Sequence, residues 1–151
     1  MIDLVNGDDV LTRDVRKQIL ADVKALEYDF VFGCAPCTTF SPRTDLVLRR
    51  RKPKSHLKGV PNLPPLAKKK VDDHTLLADF QNTVLRQCHK LGIKCAAEST
   101  AARHLDNDAY WPDMAERASY FDLESTQLLL TLGFRRYLVA MCSLGLVEQK
   151  Y

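Results

Sequence analysis

The residues able to do chemistry are concentrated in one stretch, Gly33-Cys34-Ala35-Pro36-Cys37-Thr38-Thr39-Phe40-Ser41, and in an acid further on, Glu98, which ends the run Ile93-Lys94-Cys95-Ala96-Ala97. A thiol can serve as redox partner, metal ligand or nucleophile, and each use asks for a different neighbourhood. A redox pair of Cys34 and Cys37 needs a helix directly after the motif, whose N-terminus favours the thiolate. Here Thr-Thr-Phe-Ser-Pro-Arg leads instead toward a proline-rich stretch. A structural zinc site needs two more ligands at comparable spacing, and Cys88, His89 and Cys95 form no second C-x-x-C, so no metal is expected. In the third use Cys34 is a buried strand residue and Cys37 is the nucleophile at the strand's C-terminal edge.

The elements that must carry these residues can be read from periodicity. Met1-Ile2-Asp3-Leu4-Val5 reads as a short strand stopped by the turn Asn6-Gly7-Asp8-Asp9. Val15, Ile19, Val23 and Leu26 mark one stripe of a helix over 13–26. Tyr28-Asp29-Phe30-Val31-Phe32-Gly33-Cys34 is aromatic and β-branched, which predicts a strand buried on both faces and ended by Pro36. From 41 to 70 the chain carries Pro42, Pro53, Pro61, Pro64 and Pro65 with little periodicity, and a functional loop is expected. Leu77, Phe80, Val84, Cys88 and Leu91 then predict a helix over 71–91, closed by Gly92. Ile93 to Glu98 is a second strand, and a polar segment runs on to Trp111-Pro112. A helix over 123–132, ended by Gly133, and a strand over 136–144 complete the pattern. Helices alternating with apolar strands predict an α/β fold with a mostly parallel sheet, whose strands end together and bind ligands there.

At 151 residues the chain has the length of one domain, and its 46% hydrophobic and 27% charged residues exclude a disordered chain. The net charge of +3 hides an asymmetry: Arg43, Arg49, Arg50, Arg51, Lys52, Lys54, Lys58, Lys68, Lys69 and Lys70 share one segment with a single acid, Asp45. A polyanion is the expected partner of such a strip, and phosphate contact is expected of Ser41, Arg43, Arg49, Arg50, Arg51 and Lys52. Arg135 and Arg136 suit either a surface charge or a phosphate contact. No apolar run reaches the ~20 residues of a membrane span and no signal-like segment opens the chain, so no membrane partner, an intracellular location and reduced thiols are expected.

The segment Pro36-Cys37-Thr38-Thr39-Phe40-Ser41 resembles the Pro-Cys-x-x-Phe-Ser loop of the DNA cytosine-5 methyltransferases, which likewise comes after a hydrophobic strand. Gly7-Asp8 is similar to the family's Gly-Asp pair after its third strand. Glu98-Ser99-Thr100 stands where the family has Glu-Asn-Val, departing from it after the acid. The run from Leu128 to Lys150 is similar to the family's Leu-Gly-Tyr segment and the start of its Gln-containing block. The resemblance spans nearly the whole chain but only the middle of a complete enzyme, and it implies a copy lacking the family's Phe-x-Gly-x-Gly cofactor loop and its target-recognition domain. It implies a partial Rossmann-like sheet with flanking helices, forming a single domain over 1–151 with its basic loop at 41–70.

For function, the resemblance implies methyl transfer from S-adenosylmethionine to cytosine C5 in DNA, by a truncated or degenerate copy of the enzyme. Cys37 would add to C6 and Glu98 would donate toward N3, with Asp8 and Pro36 beside the cofactor. The base would be flipped out of the duplex, with basic residues on the backbone. A partner chain would supply the missing cofactor loop. The rival expectation is a catalytically inactive nucleic-acid-binding module of the same fold, and a thiol-redox protein is the third.

Overall fold

A computed structural model describes residues 9–41, 46–100 and 116–137. The expected strand at 1–5, Asp8, Arg43, the polar segment at 101–115 and all but the first residues of the strand at 136–144 lie outside the described residues.

Helix α1 spans Arg13–Lys24. Asp9 prepares its start, its side chain accepting from the Leu11 amide (2.9 Å) and its carbonyl from the Thr12 amide (2.9 Å). Ile19 and Val23 are buried as the stripe requires, but Leu26 is not part of it. The helix stops at Lys24, and Leu26 adopts φ 62°, turning its side chain out to 61% exposure.

Strand β1, Phe30–Gly33, pairs in parallel with β2, Lys94–Ala97, in the register Phe30↔Lys94 to Gly33↔Ala97. A parallel pair needs a long crossover, and the connection contains helix α2, Pro65–Leu91. The fold is thus mixed helix and strand around a small parallel sheet, an α/β unit. Val31 and Cys95 face a cluster built from Ile19 and Val23 of α1 and Val84 and Cys88 of α2. The expectation of a strand buried on both faces fails: Phe30 is 56% and Phe32 58% exposed. Among the described residues only the α1/α2 side of the sheet is covered, and side chains alternate across a strand, so every second one faces outward.

Helix α2 begins six residues earlier than periodicity implies. Proline suits the first helical position, where its missing N–H is no loss, and Pro65 sits there. Lys68 with Asp72 (2.7 Å) and Lys69 with Asp73 (2.6 Å) add support at the i,i+4 spacing through the first turns. The helix closes at Gly92 (φ 72°), with the Ile93 amide donating back to the Cys88 carbonyl (3.0 Å). The expected long basic loop is therefore shorter, and it holds a 3-10 turn at Lys54–Lys58.

Downstream, a 3-10 turn at Tyr120–Asp122 precedes helix α3, Glu124–Thr131. A capping box starts the turn: the Asp122 carboxylate accepts from the Ser119 amide (2.8 Å) and hydroxyl (2.9 Å). Gly133, at φ 95°, comes after α3 as expected. A second cluster of Phe40, Ala78, Tyr120 and Leu123 joins the Cys37 loop, α2 and this unit. None of the described helices is long and apolar enough to cross a membrane.

Candidate active site at the strand ends

Because β1 and β2 run in parallel, the chain leaves both strands at the same edge of the sheet. The Glu98 amide donates to the Gly33 carbonyl at 2.9 Å, which extends the ladder one step and seats Glu98 beside the start of the cysteine loop. The Cys34 thiol lies 3.8 Å from Glu98 Oε2 and donates to it. Cys34 is therefore no buried bystander: it is exposed, and it is the thiol that contacts Glu98. The expected burial fails because the strand ends at Gly33, one residue before the thiol.

The loop is pinned on both sides of its exposed tip. The Ala35 amide donates to Gln81 Oε1 of α2 at 2.7 Å. The Phe40 amide donates to the Cys37 carbonyl at 2.9 Å, closing a turn over Cys37 to Phe40. Thr39 and Phe40 are buried, while Pro36, Cys37 and Thr38 face solvent. No helix starts directly after Cys37, so the helix-terminus device of a redox pair is not built here. Of the other described thiols, burial pushes Cys88 up to about 11, and raises Cys95 also. Among the described residues, the exposed thiols open to nucleophilic work are Cys34 and Cys37.

The basic strip is rearranged most strongly against expectation. Arg49 is 2% exposed and its guanidinium is committed inside the protein. It donates to the carbonyls of Leu57 (2.8 Å) and Val71 (2.9 Å) and to the Thr39 hydroxyl (3.1 and 3.3 Å), and it stacks 4.1 Å from the Phe40 ring centroid. Burial lowers its pKa to about 10, opposed by Asp79 and Asp72. As placed, it braces the loop from behind and has no donor turned to a phosphate. Arg50 is exposed and pairs with Glu116 (3.2 Å), and Arg51 pairs with Asp122 (3.3 Å). The backbone of Arg50 runs antiparallel to that of Arg117, with the Arg51 amide donating to the Glu116 carbonyl at 2.9 Å. Lys58 meets Asp79 at 3.5 Å. Among the described residues, Lys52, Lys54 and Lys70 are exposed and make no ion pair. Ser41 is half-buried at the end of the loop, and the Arg136 guanidinium lies 5.2 Å from the Phe121 ring centroid.

Three residues that sequence reading leaves out hold this site: Arg49 as a core residue, Gln81 and Tyr120. Gln81 carries a usable signal, since it stands with Ala78 and Leu85 at helical spacing on a buried face. A polar residue on an apolar stripe points to a partner it must satisfy. Tyr120 carries no such signal.

Of the residues implied to hold S-adenosylmethionine, Asp8 is outside the described residues and Pro36 is an exposed ring at the loop tip. A cavity of about 420 Å³ is lined by Arg16, Lys58, Asp72, Thr75, Asp79 and Phe80 among others, and includes neither Pro36 nor Cys37. The described residues build no cradle for the cofactor at Pro36. Nor, among them, do three or more His, Cys, Asp or Glu side chains gather as a metal site. Comparison of the chain with family models, curated proteins and solved structures returns no match.

Proposed function

We propose that this chain is a DNA cytosine-5 methyltransferase-like protein, a partial Rossmann-like unit in which Cys37 attacks cytosine. The observation that supports the reading most is the joining of the two strand ends: Glu98 is hydrogen-bonded by its backbone to Gly33, at the root of an exposed Pro36-Cys37 tip. Cytosine C5 is a weak nucleophile, and addition of a thiolate at C6 makes an enamine that reacts at C5. Cys37 supplies the thiolate, and Glu98 in its protonated form donates toward N3 to relieve the charge that develops on the ring. Release reverses the addition, the C5 proton leaving to solvent as the C6–sulfur bond breaks. S-adenosylmethionine would supply the methyl group in this reading and leave as the thioether S-adenosylhomocysteine. The setting is intracellular and the partner is DNA, entered with a flipped base and held through phosphates by Lys52 and Lys54 with Arg50 and Arg51 beside them.

The contact between Cys34 and Glu98 favours a second reading, a nucleic-acid-binding module of the same fold without catalysis, in which that carboxylate is already engaged. The experiment that separates them is incubation of the protein with S-adenosylmethionine and a duplex carrying 5-fluorocytosine, whose fluorine blocks release. A denaturation-resistant adduct that is absent from Cys37→Ser supports the enzyme. Retained DNA binding with no adduct supports the binding module.

A further inference from the structure

We infer that Gln81 is the positioning residue for the Cys37 thiol, acting through the Ala35 amide. This rests on the reading of Cys37 as the nucleophile and adds the residue that holds it in place.

Gln81 is buried in α2 and its amide spans two elements. Oε1 accepts from the Ala35 amide at 2.7 Å, and Nε2 donates to the Tyr120 hydroxyl at 3.0 Å. The Tyr120 hydroxyl in turn donates to Asn82 Oδ1, while Asn82 Nδ2 donates to the hydroxyls of Ser125 and Thr126, each at 2.9 Å. Ser125 donates to Asp79 at 2.6 Å. Both ends of the Gln81 amide are thus used, and its outer end is tied to α3 through Tyr120 and Asn82.

The other side of the same contact is Gly33. A Cβ on Gly33 would lie 2.6 Å from Gln81 Oε1 and 2.7 Å from its Cδ, so the side chain crosses directly over the last residue of β1. That fixes the direction in which the chain leaves the strand. Ala35 is two residues from Cys37, the intervening residue is Pro36 with its φ locked by the ring, and the turn is closed at Phe40. With so few free torsions, holding the Ala35 amide sets where the thiol points. A misplacement of about 1 Å at a reacting atom is enough to cost about 10²-fold in rate.

Gln81→Leu keeps most of the side-chain volume and removes both hydrogen bonds. Hydrogen exchange at the Ala35 amide should accelerate at least about tenfold while the amides of β1 and α2 keep their protection. Adduct formation with the 5-fluorocytosine duplex should fall at least about tenfold, although iodoacetamide labels Cys37 within about twofold of the wild-type rate. A merely structural role would move both rates together. Gln81→Glu restores an acceptor for Ala35 and should recover the protection and most of the adduct. Should Gln81→Leu not fold, Gly33→Ala tests the same contact by displacing the Gln81 amide, and should give the same pattern. An adduct of equal rate in wild type and Gln81→Leu overturns the positioning role and leaves the methyltransferase reading intact. No adduct in the wild type is a failure of that reading instead, and Gln81 is then judged on Ala35 exchange alone: unchanged protection overturns the inference, and selective loss supports it.

Discussion

Along one flank of α2, Val84 and Cys88 meet Ile19 and Val23 of α1 in a cluster of hydrophobic side chains. Along the other, Ala78 shares its surroundings with Phe40, Tyr120 and Leu123, while Gln81 and Asn82 reach across by hydrogen bonds and Arg49 closes the layer from the loop side. The first flank carries the sheet, the second carries the candidate site. An apolar cluster gains from area and tolerates rearrangement, whereas a buried polar network depends on every partner being in place. The flank that positions chemistry is therefore the one where single substitutions should cost most.

The largest effect is expected at Arg49. Arg49→Met keeps an apolar stem of similar length but takes the donor from the Leu57 carbonyl, and strips a second donor from the Val71 carbonyl, which the Thr75 hydroxyl still serves, and from the Thr39 hydroxyl. One orphaned buried acceptor costs about 1–3 kcal/mol, and with the further bonds lost at Val71 and Thr39 a loss of about 3 kcal/mol is expected in urea unfolding. Arg49→Lys should recover only part, because an ammonium cannot serve two carbonyls and a hydroxyl in one plane. On the apolar flank, Ile19→Val should cost about 0.5–1.5 kcal/mol. Equal losses at the two positions would remove the contrast.

The same difference decides how far each flank is legible in the sequence. The Ile19, Val23 and Val84, Cys88 stripes repeat at helical spacing, and the α/β alternation is readable from them. Leu26 obeys the spacing and still leaves the helix, since a C-terminal residue in the left-handed region breaks the register that periodicity assumes. Glu98 and Cys37 are brought to notice because parallel strands end on one edge. Arg49 misleads because its neighbours Arg50 and Arg51 are cations in ion pairs nearer the surface, and nothing in composition separates one arginine of a run from the next. Only the fold supplies the carbonyls of Leu57 and Val71 that make its burial tolerable.

A smaller effect is expected within the polar flank itself. Tyr120→Phe deletes one hydroxyl and leaves Gln81 Nε2 and Asn82 Oδ1 without the partner they share, at a cost of about 1–2 kcal/mol in thermal or urea unfolding. Gln81 still reaches Ala35 in this variant, so adduct formation should suffer less than in Gln81→Leu. A loss as large as that of Gln81→Leu would move the positioning role outward to the tyrosine.

On the apolar flank the thiols give a pH test of burial. Cys88 is fully buried and its pKa is pushed up from 9.0 to about 11, mainly by desolvation. Well below pH 9.0 both folded and unfolded chains keep the proton. Between about 9 and 11 the unfolded chain loses it first, so the unfolded state binds fewer protons and stability falls as pH rises. Cys88→Ala should flatten the dependence of unfolding free energy on pH across that window. Iodoacetamide should label Cys34 and Cys37 in the native protein and reach Cys88 only on unfolding; native labelling of Cys88 would contradict the packed flank.

The smallest stability effect, and the sharpest contrast with Arg49, belongs to Lys52 and Lys54. Both are exposed and outside any ion pair among the described residues, so replacing them with alanine should leave stability within about 0.5 kcal/mol. If they contact phosphates, the double variant should weaken binding to any duplex and reduce the slope of log K against log salt by about 0.9 per contact. Arg49→Met should do the reverse, lowering stability with the salt slope unchanged once the protein is folded. A salt slope that responds to Arg49 and ignores Lys52 and Lys54 would mean that the loop turns over on binding DNA and presents its buried guanidinium. That outcome would make the polar flank a mobile part of the interface instead of its fixed support.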